Sequence, residues 1–499
     1  MKMKSRRSGV LLHVSSLPGP FGIGDLGPSA YEFVDFLAKS GQSLWSVLPI
    51  NDVLPHEDSC PYCPGSAFAG NPLLISPEAL MEKGLLDARD LREYPKLANE
   101  MVDIPSVIQN KTILLKKAFA KFSKDPVDAD KWGFLKFKEG TEWLPDYVEY
   151  VCRRSIGMDV YGCGLTSDGN VSRQGTGQIN GDFVSFTQFI FFEQWKALKK
   201  YANARGVFLA GDISFYVSVD SSDVRANPGL FGIDVNTGKM TVESGAPPDE
   251  FQPKGQFWRT PIYNWRAHAE DGFRWWRMRI AENAALYDTF RLDHFRGFEA
   301  FWSIPSGSKT PKDGHFVKGP AKAFFEAISD VARDAQMFVE DLGLITKDVH
   351  DLREALGLPG MNVLQLAFSS KEDHPYLPYK CIPNCVMYTS THDLPPMVGW
   401  FNELDDRRKS EVENYIGAQL SSKNIHWAFV RLALSSVANW VLIPAQDLLG
   451  LGNEARMNIP GMRSENHCLW RVSNINALDA ASERLFKLTQ RYGRLLQSS

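Results

Sequence analysis

The sequence predicts an α/β fold, a parallel (β/α)8 barrel of the TIM type, and three observations carry that prediction. Eight short apolar or β-branched runs recur along the chain, at 9–14, 44–48, 207–210, 287–292, 337–339, 361–366, 386–389 and 440–443. Most are continuous rather than alternating, as expected of parallel strands covered on both faces. Helical patterns separate several of them, and a strand–helix alternation repeated eight times closes into a barrel. Third, polar residues gather just where apolar runs end: Gly211-Asp212, Arg291-Leu292-Asp293-His294, Glu340-Asp341 and Thr391-His392-Asp393. A parallel barrel builds its active site from such strand ends, on one rim.

The elements follow in order. After the first run, the glycine-rich 19–27 stretch lacks the Gly-Lys-Ser/Thr of a phosphate loop and reads as a turn. Ser29 is a candidate N-cap for a helix through Ala38, with Phe33, Phe36 and Leu37 on one face and Gly41 beyond its end. The second and third strands are too far apart for a simple crossover. Residues 49–205 are therefore expected to form a mainly helical insertion, with helical patterns at 107–122, 142–153 and 189–204. Residues 213–285, rich in aromatics, Pro and Gly, read as a second, irregular insertion. Both leave the carboxyl ends of strands, so both should rise over the active rim as walls or lids. Further helical patterns lie at 321–335 and 481–496, and the whole of 1–499 reads as one catalytic barrel domain.

Composition narrows the function classes. A net charge of −4, with no Lys/Arg-rich block after the first seven residues, argues against nucleic acid as a partner. The apolar stretch Val10-Leu11-Leu12 is broken by His13 and Ser15, too short for a signal core, and no run reaches membrane length. Cytoplasmic residence, without membrane association, is the expectation. Seven scattered cysteines fit reduced thiols. Cys60 and Cys63 match C-x-x-C and would follow a strand on the active rim, whereas Cys381 and Cys385 would precede one at the opposite end. No metal cluster has convincing spacing, and no cofactor is expected.

The strand ends suggest glycosidic-bond chemistry, which uses paired carboxylates. Arg291 and Asp293 are two apart on a strand, so both face one side, and a guanidinium there favours an ionised, nucleophilic Asp. The same pair also reads as a structural ion pair. A general acid must be held protonated by burial or nearby negative charge; Glu340 and Asp341 both qualify and should point to opposite faces. Asp393 fits either a stabiliser of transition-state charge or a turn residue. Asp212 either faces the site or anchors a loop. Trp258, in an irregular loop, and Trp265, Trp275 and Trp276 are flat surfaces for sugar stacking or core packing.

Taken in order, several motifs resemble the 4-α-glucanotransferases of glycoside hydrolase family 77, also called amylomaltases or disproportionating enzymes. They are Leu11-Leu12-His13-Val14-Ser15-Ser16-Leu17-Pro18-Gly19, Ser66-Ala67-Phe68-Ala69-Gly70-Asn71-Pro72, Ala210-Gly211-Asp212-Ile213, Pro247-Pro248-Asp249, Arg291-Leu292-Asp293-His294-Phe295-Arg296-Gly297-Phe298, Glu340-Asp341-Leu342-Gly343, Pro359-Gly360-Met361, Thr391-His392-Asp393, Gln446-Asp447-Leu448-Leu449-Gly450 and Arg456-Met457-Asn458-Ile459-Pro460-Gly461. The resemblance implies a barrel without a C-terminal β-domain and a retaining double displacement on α-1,4-glucans. By it Asp293 is the nucleophile, Glu340 the acid/base and Asp393 the transition-state stabiliser. Arg291, His294 and His392 would hold the sugar at the cleavage point. Tyr62, Asp212, Asp249, Gln256, Trp258 and Asn466 would line the glucan groove. The implied partners are a maltodextrin donor and a glucan or glucose acceptor.

The chain also departs from the family. Arg259-Thr260 stands where Gly-Asn is usual, Leu394 where Asn is usual, Ser214 for Pro, and Arg225 and His467 for Trp. These departures bear on subsites and acceptor preference, since all three carboxylates are intact. The expected activity is glucan transfer; an amylase-type hydrolase and a non-catalytic glucan-binding protein are the alternatives.

Overall fold

The structure, a computed structural model, describes residues 5–55, 59–124, 128–157, 180–249, 252–333, 335–368, 373–461 and 468–496. Twelve strands are labelled in chain order. Eight of them, β1 (Arg7–Leu11), β2 (Leu44–Ser46), β3 (Phe208–Ile213), β6 (Thr289–Leu292), β9 (Gln336–Val339), β10 (Gly360–Val363), β11 (Cys385–Tyr388) and β12 (Trp440–Pro444), form one parallel sheet. Each but the β9–β10 couple pairs with its neighbour in chain order, and β12 pairs with β1. The remaining seam, between β9 and β10, is bridged by the Val339 N–H, which donates to the Pro359 carbonyl at 2.9 Å. The result is the expected (β/α)8 barrel, each strand coinciding with one of the apolar runs.

The barrel strands are buried along most of their length because helices cover the outer face and side chains fill the inside. Close approach fixes some residues: a Cβ on Gly211 would lie 2.3 Å from the Tyr287 ring, so only glycine lets that ring pack against β3 just below Asp212. The first helix runs Pro28–Lys39, two residues earlier than expected at its start. Ser29 is inside it and makes no cap; Pro28 opens the helix after Gly27, its ring fixing φ where no N–H partner is needed. The helix expected from Phe189 begins eight residues earlier, at Gly181, with Asn180 accepting from the Asp182 N–H at 2.8 Å.

Between β2 and β3 the described residues hold helices at Pro77–Glu82, Ala88–Arg92, Ile104–Lys124, Asp128–Gly140, Leu144–Gly157 and Gly181–Ala204. The segment 213–285 is more regular than its composition suggests. It carries β4 (Val242–Ala246) and β5 (Gln256–Pro261), and helices at Trp265–Glu270 and Arg274–Leu286. A hairpin after β6, β7 (Ala300–Pro305) and β8 (His315–Lys318), completes a four-stranded antiparallel sheet in the order β5-β4-β7-β8. These strands were hidden because the β4–β7 pairing that joins the two hairpins is distant in sequence and because Gly245, Pro261 and Pro305 dilute the pattern. Among the described residues no helix is long and apolar enough to cross a membrane.

Candidate active site

Strand register builds the site. Asp212 and Arg291 are partners across β3 and β6, so their side chains lie side by side. Arg291 Nη1 donates to Asp212 Oδ2 at 2.6 Å and Nη2 to Asp293 Oδ1 at 2.7 Å. The Tyr62 hydroxyl donates to the same Asp212 oxygen at 2.6 Å. The Arg291 and Asp212 side chains are 6% and 5% exposed, whereas Asp293 keeps 23%. Arg291 is thus a buried cation locked to one hidden carboxylate and offered to one that meets solvent.

Leu292 pairs with Val339, so Asp293 and Glu340 leave adjacent strands at the same level. Glu340 Oε1 accepts from the Leu342 N–H at 2.7 Å and Oε2 from the His294 N–H at 2.9 Å. His294 adopts a left-handed φ of 45°, and its N–H reaches Glu340 from that conformation. Burial, then the charge of Asp293, pushes the Glu340 pKa up to about 8 against the pull of Arg291. Burial and Asp393 also raise Asp293, while Arg291 pulls it down. With Arg291 in contact and solvent reaching its side chain, Asp293 is the member that ionises first. Of the two, Glu340 is therefore the one that holds a proton more firmly. Asp341 points elsewhere, accepting from the Met361 N–H at 2.7 Å and pairing with Arg353 at 3.2 Å.

The third carboxylate follows β11. Asn458 Nδ2 donates to Asp393 Oδ1 at 2.5 Å, and Arg456 Nη2 to the Asp393 carbonyl at 2.9 Å. His392 Nε2 lies 3.3 Å from Asp393 Oδ2, and its ring stacks on Tyr62 with centroids 5.1 Å apart. Both ends of this loop are pinned by Asp447, which is fully buried. Asp447 Oδ2 accepts from Thr389 at 2.6 Å and Ser390 at 2.7 Å, and Oδ1 from the Met397 N–H at 2.8 Å. The motifs containing Asn458 and Asp447 were visible in the sequence. Their contacts were not, because each crosses from the loop after β12 to the loop after β11.

A cavity of about 1090 Å³ opens on this rim, lined among others by Tyr62, Asp249, Gln256, Trp258, Arg291, Asp293, His294, Glu340 and Asp393. Cys60 and Cys63 line it as well. Asp212 and His392 do not line it: each sits one layer below, Asp212 under Tyr62 and Arg291, His392 against Tyr62. Asp249 Oδ1 accepts from the Gln252 N–H at 2.6 Å. The Trp258 indole N–H donates to Gln256 Oε1 at 2.9 Å, and its ring meets His294 edge-on at 4.7 Å. Trp275 and Trp276 are buried in the core, so they are not stacking platforms. Asn466 and His467 lie outside the described residues.

The other departures have positions. Arg259 lines the cavity with φ 59°, its guanidinium 5.6 Å from the Phe257 ring centroid. The buried Thr260 hydroxyl lies 2.5 Å from that of Ser244. The Ser214 hydroxyl accepts from Arg279 at 3.0 Å, a bond proline could not make. Arg225 pairs with Asp220 at 2.8 Å, and Leu394 lines the cavity.

Comparison with known proteins gives the family. The family model Glyco_hydro_77, described as 4-alpha-glucanotransferase, matches residues 12–476. The 4-alpha-glucanotransferase of Aquifex aeolicus is 41% identical over 98% of this chain and 99% of its own length. That of Solanum tuberosum, named chloroplastic/amyloplastic, is 38% identical over 98% of this chain and 87% of its own. Among solved structures, the amylomaltase of Streptococcus agalactiae in complex with acarbose superposes with a TM-score of 0.89 at 30% identity, covering 98% of this chain and 100% of that one. The chain belongs to the Glyco_hydro_77 family of 4-alpha-glucanotransferases.

Proposed function

We propose that this chain moves α-1,4-glucan segments from a maltodextrin donor to the 4-hydroxyl of another glucan or of glucose, by a retaining double displacement. Asp293 attacks the anomeric carbon while Glu340 gives its proton to the leaving glycosidic oxygen. A covalent glucosyl ester forms on Asp293, the departing glucan leaves as an alcohol, and Glu340 becomes a carboxylate. That carboxylate then takes the proton of the incoming 4-hydroxyl, whose oxygen displaces Asp293. Asp393, held by Asn458, stabilises positive charge on the ring, and Arg291 keeps Asp293 anionic between turnovers.

The observation that carries this reading is the inequality of two adjacent carboxyls. Asp293 is ion-paired with Arg291 and open to the cavity, while Glu340 holds its proton up to about pH 8. That division of roles is what a nucleophile and a proton donor require. A retaining pair is further expected to stand roughly 5–5.5 Å apart. Transfer over hydrolysis requires an acceptor sugar to outcompete water, which the walls from the β4–β5 and β7–β8 segments assist by enclosing the cavity.

Incubation with maltotriose tests the proposal. Transfer produces glucose together with a ladder of longer maltodextrins. Products that only shorten would make the chain a hydrolase, and unchanged maltotriose would leave it a glucan-binding protein.

A further inference from the structure

The end of the barrel opposite the cavity holds a pair of thiols that the proposed chemistry does not use. Cys385 is the first residue of β11 and is 5% exposed; Cys381, four residues earlier, is half-buried. Their Sγ atoms are 3.2 Å apart. The intervening turn is fixed from both sides, because the Pro383 carbonyl accepts from the Cys385 N–H at 2.9 Å and from the Asn439 N–H at 2.8 Å. Ile382, inside that turn, is 48% exposed, so solvent reaches the segment.

We propose that Cys381 and Cys385 form a dithiol modification site that exchanges with small-molecule disulfides and closes reversibly into an intramolecular disulfide. Cys381 is the entry thiol. Its thiolate is favoured by the hydrogen bond from Cys385, by the Ala438 N–H and by the nearby Arg494 guanidinium, although burial opposes this. Cys385, whose pKa is pushed up by Cys381 and by burial, stays protonated and waits beneath it. Cys381 sulfur attacks one sulfur of the small disulfide, the S–S bond breaks, and one small thiol leaves with the proton Cys381 gave up. Cys385 sulfur then attacks Cys381 sulfur in the mixed disulfide, releasing the second small thiol with the Cys385 proton. The two protein thiols are oxidised by two electrons in total, and the small disulfide is reduced to two thiols. Little movement is needed, since the sulfurs are already neighbours and the turn holds both residues on one side of the strand end.

The test uses the full-length chain, oxidised glutathione, acid quenching and alkylation, read by peptide mass. In the wild-type chain, alkylation of the Cys381–Cys385 pair is expected to fall about tenfold or more, as thiol–disulfide exchange closes it. Its peptide should be lighter by two hydrogens, and dithiothreitol should restore the thiols. Cys385→Ser should accumulate glutathione on Cys381, because the resolving thiol is gone; Cys381→Ser should lose both products. Two results would overturn the proposal. One is full alkylation of both thiols in the wild-type chain after glutathione treatment. The other is a glutathione adduct on Cys381 that persists as strongly in the wild type as in Cys385→Ser. The wild-type measurement needs no variant, so a misfolded variant does not remove the test. None of these readings depends on glucan transfer.

Discussion

The two ends of the barrel treat buried charge and backbone strain in opposite ways. At the foot, Arg494 is fully buried and donates to the carbonyls of Arg7, Leu434, Ser436, Ala438 and Asn439. Arg6 shares the carbonyls of Leu434 and Ser436 and also donates to that of Tyr492. At the rim, Arg291 is buried as well, yet its partners are ionisable: Asp212 directly, Asp293 facing the cavity, and Glu340 close by. Left-handed backbone divides the same way. In the turns that lead into β2, β3 and β10 at the foot it falls on Gly41, Gly206 and Gly357. In the loops on the rim side, the described residues also place Ser59, Arg259, Phe273, His294, Ala321 and Cys468 there. A carbonyl cage satisfies a cation permanently and fixes the chain. A set of coupled acids leaves protons to be traded, and strain persists where surrounding structure holds it for use.

The largest expected difference follows from removing a rim acid. Asp293→Asn should lower kcat for maltotriose disproportionation by on the order of four powers of ten, since the carboxylate proposed to attack is gone. Folding should survive, because Arg291 keeps Asp212. Residual activity within tenfold of wild type would remove Asp293 from the nucleophile role. Arg494→Met makes the converse change. It strands several buried carbonyls, so denaturant unfolding should show a loss of about 3–5 kcal/mol, with kcat of the folded fraction unchanged. A kcat that fell along with stability would erase the division between the two ends.

That division was only half legible in the sequence. The apolar runs announced all eight barrel strands, and the acids at their ends marked the rim, because parallel strands need continuous hydrophobicity and put chemistry at their carboxyl ends. The carbonyl cage could not be read, since Arg494 sits in a terminal helical pattern and its partners are main-chain atoms. Asn458 and Asp447 act on the loop after β11 across more than fifty residues of chain. Asp212, expected to line the groove, and His392, expected to hold the sugar at the cleavage point, are both buried beneath Tyr62, a depth that strand and motif positions do not encode. Sequence spacing gives the face, not the depth.

A smaller effect separates the protonation states of the rim. Burial and Asp293 raise Glu340 from its ordinary value of 4.5 to about 8. Between those values the folded state keeps a proton that the unfolded chain has shed, so stability falls as pH rises through that window. Solvent contact and coupling to Asp293 reduce the gap, and about 2 kcal/mol of stability should be lost between pH 5 and 9. Glu340→Gln should flatten that slope, although one of the two main-chain N–H groups then faces an amide. Wild-type kcat/KM should decline above about pH 8, as the acid loses its proton. Unfolding curves with the same slope in wild type and variant would detach the proton from Glu340.

The smallest effect concerns strain alone, and a reciprocal pair of substitutions measures it. Arg259 holds φ 59° on the cavity wall, where a side chain pays roughly 1–2 kcal/mol relative to glycine. Arg259→Gly releases that strain but gives the unfolded chain more freedom, worth about 0.5–1 kcal/mol, so a net gain of roughly 0.5 kcal/mol is expected. Gly357 ends the helix Lys347–Leu356 at φ 66° with nothing within 4 Å of an added Cβ. Gly357→Ala therefore meets only the conformational penalty, and should lose about 1 kcal/mol. Opposite signs from two left-handed positions of similar φ would locate the tolerated strain at the rim. Equal losses would mean that the Arg259 side chain contributes more through its contact with Phe257 than its backbone costs.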